Sequence, residues 1–103
     1  MLYDKRWELD KAGKVLLEAA EYMEQHGWCR DEFFDDTGAV CLLGAIRRRQ
    51  PRYSLGGNSP PALRLQNRIY EKVGGYLVAT WNDEHCESKE QAVTLLRSAA
   101  YSS

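Results

Sequence analysis

No stretch of the 103-residue chain approaches the roughly 18 consecutive apolar residues that a membrane-spanning helix needs, so no membrane role is expected. Glycine and proline are scarce, eight and three residues, which excludes a collagen-like chain. Histidine occurs twice and cysteine three times. An odd cysteine count fits a reducing compartment better than a secreted disulfide framework. The opening Met1-Leu2-Tyr3-Asp4-Lys5 lacks the apolar core of a signal peptide, so a cytoplasmic location is expected. A large net charge is missing too: the formal value is -1, which provides no global attraction to nucleic acid.

What is present is the composition of a globular domain, with 44% apolar residues, three Trp, six Tyr and two Phe. A chain of this size buries roughly 60–70% of the surface its unfolded form exposes, enough to fold without metal or disulfide. One domain over 1–103 is expected. The small net charge hides a segregation along the chain: -5 over 1–38, +6 over 39–72 and -2 over 73–103. A basic middle between acidic ends is either a self-satisfying internal field or a face for an acidic partner.

Leu9, Ala12, Leu16, Ala19, Ala20 and Met23 recur at steps of three and four. That spacing predicts a helix from about Leu9 to His26, with Gly27 as its C-cap. Asp35-Asp36-Thr37-Gly38 is a turn signal. The run from Ala39 to Ile46 has two readings: a short hairpin pairing Phe33-Phe34 with Ala39-Val40, or a buried helix from about Val40 to Arg49. Its length and its Leu, Ala and Arg content favour the helix, in which Gly44 admits a second backbone. Pro51 and Gly56-Gly57-Asn58 predict a loop. Ser59 caps a third helix that Pro60 opens, with Leu63, Ile69, Tyr70 and Val73 expected on its buried side. Tyr76 to Thr80 reads as a short extended segment and Trp81 to His85 as a loop. Ser88 and Gln91 form a capping box for the last helix, which buries Ala92, Leu95, Leu96 and Ala99. The expected fold is therefore mainly α: a compact domain of about four helices, with room for a short β-hairpin after the first. The expected core is Leu9, Leu16, Ala20, Met23, Trp28, Leu42, Leu43, Ile46, Ile69, Val73, Trp81, Leu95 and Leu96.

Several residue groups could carry chemistry. A thiol nucleophile needs a base and an orienting group, and His26, His85, Asn82 and Asp83 are available to Cys29 or Cys41. No cysteine-protease signature accompanies them, and Val-Cys-Leu-Leu reads as core around Cys41. His26 and Cys29 form a His-x-x-Cys pair, with Asp83, His85 and Cys86 crowded on a second segment, yet the usual zinc spacings are missing. No metal and no cofactor are expected. Asp31, Glu32, Asp35 and Asp36 do not fit a calcium loop and are expected to serve the backbone of a turn. Arg47, Arg48, Arg49, Arg52, Arg64 and Arg68 are the foremost candidates for a partner surface, although three successive arginines on a helix cannot face one partner together. Trp81-Asn82-Asp83 is either a structural corner, with Asn82 or Asp83 holding backbone groups, or a recognition loop.

His26-Gly27-Trp28-Cys29, then Gly38-Ala39-Val40-Cys41-Leu42-Leu43-Gly44-Ala45-Ile46, then Trp81-Asn82-Asp83 ahead of a capped C-terminal helix form an ordered pattern. It resembles a family of small domains of unknown function found in actinobacteria and their bacteriophages. The resemblance spans about residues 9 to 100 and implies a lineage, a bacterial or phage protein of the host-cell cytoplasm, and no activity. The expectation for function is a non-catalytic interaction protein binding a host or cellular protein. Arg47, Arg48, Arg49, Arg52, Arg64, Arg68, Asn82 and Asp83 are its candidate contacts. A nucleic-acid binder using the basic 47–68 segment is the alternative, and a cysteine-dependent enzyme the next.

Overall fold

The computed structural model describes residues 9–52 and 58–101. The Gly56-Gly57 part of the expected loop lies outside the described residues. The elements are α1 (Lys11–His26), α2 (Leu42–Arg49), α3 (Pro60–Lys72), α4 (Val78–Thr80) and α5 (Lys89–Ala100). A wide helical turn at Trp81–His85 continues α4. The mainly helical expectation holds.

Helix ends sit where the sequence provides caps. Asp10 accepts from the Gly13 N–H at 2.9 Å, Ser59 from Ala62 at 3.3 Å and Ser88 from Gln91 at 3.2 Å. Each side chain satisfies an N–H that has no partner within its helix. The capping box of α5 closes one residue early: Gln91 Oε1 accepts from the Glu87 N–H at 2.9 Å. Gly27 closes α1 at a φ of 99°, its N–H donating to Met23 O at 2.8 Å.

The helix α1 is the central element and packs against α5, α2 and α3. Its buried stripe includes Val15, Leu16, Ala19, Ala20 and Met23. Leu42 and Ile46 of α2, Leu65 and Ile69 of α3, and Leu96 and Ala99 of α5 complete the core.

The hairpin reduces to single bridges. Val40 pairs in parallel sense with Trp28 and antiparallel with Phe34. Segment 39–41 thus lies between two legs of the preceding loop. Val40 N–H donates to Gly27 O at 3.0 Å, and Cys41 N–H to Phe33 O at 3.1 Å. The turn at Asp35 forms as expected, its carboxylate accepting from the Thr37 and Ala39 N–H groups at 2.9 and 3.0 Å. Gly44 also behaves as expected: a Cβ there would stand 2.1 Å from Phe33 O.

Two expectations need correction. The segment after α3 is helical rather than extended, because Trp81 N–H reaches Leu77 O and Cys86 N–H reaches Trp81 O, both at 2.8 Å. An extended segment there would need a strand partner, and the described residues contain no strand. The buried side of α3 is Pro61, Ala62, Leu65 and Ile69. Leu63, Tyr70 and Val73 are 50%, 69% and 49% exposed. Leu65 and Ile69 are four apart and face the core, so Leu63 and Tyr70, seven apart, share the opposite face.

Candidate functional site

An open groove runs between α5 and the C-terminal half of α3. Its first section has a volume of about 510 Å³. Trp81 and Leu95 lie along it, with Val73 and Lys72 from the end of α3 and His85 from the turn after α4. Thr94 and Ser98 continue into a second section of about 520 Å³, bounded by Arg68, Arg97 and Tyr101. Along α5 the lining residues Gln91, Thr94, Leu95 and Ser98 recur at steps of three and four, a second stripe beside the core stripe. Near the first section lies an apolar ridge. Tyr76 packs against His85 with ring centroids 4.0 Å apart, and a Cβ on Gly75 would lie 3.5 Å from the Tyr70 ring. Leu77 is 69% exposed beside them.

Arg68 bridges the two helices, its Nε donating to Ser98 Oγ, and it stands 3.7 Å from Glu71. Arg97 pairs with Glu24 at 3.3 Å. Arg64 pairs with Asp10 at the start of α1, with one N–O contact at 2.8 Å. The Arg64 guanidinium and the Gly13 N–H hold the Asp10 carboxyl at about 2, below its ordinary 3.8.

The expected arginine surface is thereby divided. Arg64 and Arg68 are held by α1, α3 and α5 partners. Arg47, Arg48 and Arg49 form the last turn of α2, where cations oppose the negative end of the helix dipole. Arg48 lies 4.3 Å over the Phe34 ring, and Arg47, Arg48, Phe34 and Pro51 surround a cleft of about 330 Å³. Arg49 and Arg52 are exposed.

Asn82 and Asp83 act inside the fold. Asn82 is 1% exposed. Its Oδ1 accepts from the Trp28 indole N–H at 2.9 Å and from the Leu42 N–H at 3.1 Å. Its Nδ2 donates to Cys29 O at 3.1 Å and to Asp83 Oδ1 at 2.8 Å. Asp83 Oδ1 also accepts from the N–H of Asp31, which holds a φ of 65°. The Asn82 side chain has no surface to offer a partner, so of the two sequence readings of this motif the geometry favours the structural corner.

The thiols are held in their neutral form. Burial, first, and neighbouring Cys41, Asp35, Glu32 and Asp83 push Cys29 up to about 12. Burial raises Cys41 and Cys86 as well. Cys41 is the N-cap of α2, its Sγ accepting from the Gly44 N–H at 3.3 Å. His26 stacks on Tyr22 at 4.1 Å. Among the described residues no three His, Cys, Asp or Glu side chains are grouped so as to hold a metal ion. No helix of the described residues is long and apolar enough to cross a membrane.

A family model described as a family of unknown function, DUF6197, matches residues 8–102. The chain belongs to the DUF6197 family. No curated protein and no solved structure matches it. In this DUF6197 member the three segments of the ordered sequence pattern converge inside the fold: Trp28 and Cys29, Leu42, and Asn82 meet in one hydrogen-bond cluster.

Sequence reasoning missed the groove of this DUF6197 member. The sequence places Val73 in the core, and it gives Thr94 and Ser98 no role and Tyr101 none beyond the end of the last helix. The available signal was the second stripe on α5, in which small and polar side chains keep helical spacing next to the apolar face.

Proposed function

We propose that this protein is a non-catalytic interaction module that binds another protein through the groove between α3 and α5. One observation carries the reading: a groove along α5, lined by Trp81, Val73 and Leu95, adjoins the exposed Tyr70, Tyr76 and Leu77. Exposed apolar side chains gathered beside a groove are the kind of surface that docks a partner. Thiols raised by burial speak against cysteine catalysis, which needs thiolate. The odd cysteine count and the resemblance to actinobacterial and phage domains support the cytoplasm of a bacterial host as its setting.

A photoreactive residue at Thr94, irradiated in the cells that express the protein, tests the reading. A discrete protein adduct is expected. Val73→Glu should abolish it and Arg49→Glu should leave it intact. No adduct, or loss on Arg49→Glu alone, overturns it.

A second reading has its own observation: Arg47 and Arg48 line the 330 Å³ cleft at the end of α2, and Arg49 and Arg52, next to them in sequence, are exposed. It predicts nucleic-acid affinity that falls steeply with salt as counterions are released. No gel shift at low salt ends it.

A further inference from the structure

Resting on the reading of the groove as a docking surface, we propose that its occupant is one amphipathic α-helix of a partner protein, with an apolar anchor at one end and acidic residues at the other. The lining residues run along α5 from Glu90 to Tyr101, roughly 16 Å, or about three helical turns. That length matches a helix presenting anchors at i, i+3/i+4 and i+7. Mid-groove, the α5 wall is narrow: Thr94 and Ser98 line both sections, so a second helix can approach closely there. An extended peptide would instead need a sheet edge to pair with, and the described residues contain no strand.

The two ends differ chemically. At one, Val73, Trp81 and Leu95 form an apolar pocket suited to a Leu, Met or aromatic anchor. At the other, Arg68 and Arg97 stand on opposite walls beside Tyr101. Arg68 keeps its Nε on Ser98 Oγ, and its Nη1 stands a loose 3.7 Å from the exposed Glu71; Arg97 pairs with Glu24 at 3.3 Å in an exposed contact that contributes little, so the terminal nitrogens of both can turn to a stronger partner. Guanidinium groups on facing walls favour carboxylates between them, where bidentate bonds form. Lys72 adds a third cation on the α3 wall, against Glu90 at the far end of α5. The groove lining is thus cationic on balance and has a direction: the partner helix lies with its acidic end against Arg68 and Arg97.

A helix-biased peptide display library selected on the full-length protein tests this. Enriched peptides should carry an i, i+3/i+4, i+7 apolar pattern with Asp or Glu at one end. A synthetic peptide from the enriched set should bind at least tenfold more weakly when those acids become Lys, and the Arg97→Glu protein should reverse that preference. Thr94→Arg, an exposed change that leaves the core intact, should abolish binding while the thermal melt stays unchanged. Enrichment of basic or non-helical peptides, equal binding to Thr94→Arg, or no enrichment overturns the proposal. An adduct at Thr94 together with failure here refutes only the acidic helix, whereas no adduct refutes the docking reading itself.

Discussion

The indole N–H of Trp28 donates to Asn82 Oδ1 at 2.9 Å, joining residues 54 positions apart. The same oxygen holds the first N–H of α2, and the amide nitrogen holds Cys29 O. One buried side chain therefore ties the loop after α1, the start of α2 and the turn after α4. Asn82→Ala leaves buried donors without partners, and each unsatisfied group costs about 1–3 kcal/mol. A loss of about 3 kcal/mol is expected in chemical denaturation. Asn82→Asp should also destabilise near neutral pH, because its second oxygen faces Cys29 O and the Asp83 carboxylate, and should recover on acidification. A variant as stable as wild type would remove Asn82 from this role.

Gly44 and Gly38 separate two reasons for glycine. A Cβ on Gly44 would meet Phe33 O at 2.1 Å, whereas nothing lies within 4 Å of one on Gly38, whose φ is 93°. Gly44→Ala must push apart α2 and the Phe33 backbone and should cost about 3 kcal/mol. Gly38→Ala meets only left-handed backbone strain, about 1 kcal/mol. Thermal unfolding of both variants checks the order, and a reversed order refutes the packing argument.

The cysteines should be slow to react. With Cys29 held at about 12, thiolate is rare near pH 8, and alkylation on the order of a hundredfold slower than a free thiol is expected. Cys41 and Cys86 should react only as the protein unfolds, since both are buried. Prompt modification of any thiol in the native protein, followed by mass spectrometry, would revive the cysteine-enzyme alternative.

The pairing of Asp10 with Arg64 predicts a pH dependence. The Asp10 carboxyl is lowered from 3.8 to about 2 in the fold, so its contribution is present above about pH 4 and lost as pH falls through about 2. Asp10→Ala removes both the ion pair and the cap and should cost about 1 kcal/mol at pH 7, because the Asp10 side chain is 58% exposed. The gap from wild type should narrow between pH 4 and pH 2. A gap independent of pH would mean that neither the ion pair nor the charge on the capping carboxylate contributes.

The helices were legible wherever local chemistry decides them. Periodic apolar residues, the Ser59 and Ser88 caps and the Asp35 turn act over three or four residues, so spacing alone exposes them, whereas Asp10, which the sequence places inside the first helix, is its N-cap. In the sequence Arg68 reads as a partner contact, and Asn82 as either a structural corner or part of a recognition loop. Their partners, Ser98 and Trp28, lie 30 and 54 positions away. Val73 shows the limit most clearly: an apolar residue at a helix end reads as core, yet it is half exposed.

Composition, periodicity and capping residues determined by themselves that this chain is one mainly helical domain with segregated charge, because those signals are local and additive along the chain. Tertiary packing alone decided which arginines are held internally, that Asn82 is a buried clasp, and that α3 and α5 leave a groove between them. Those outcomes depend on contacts between distant segments, and a side chain's burial and partners follow from which surfaces the helices turn toward one another.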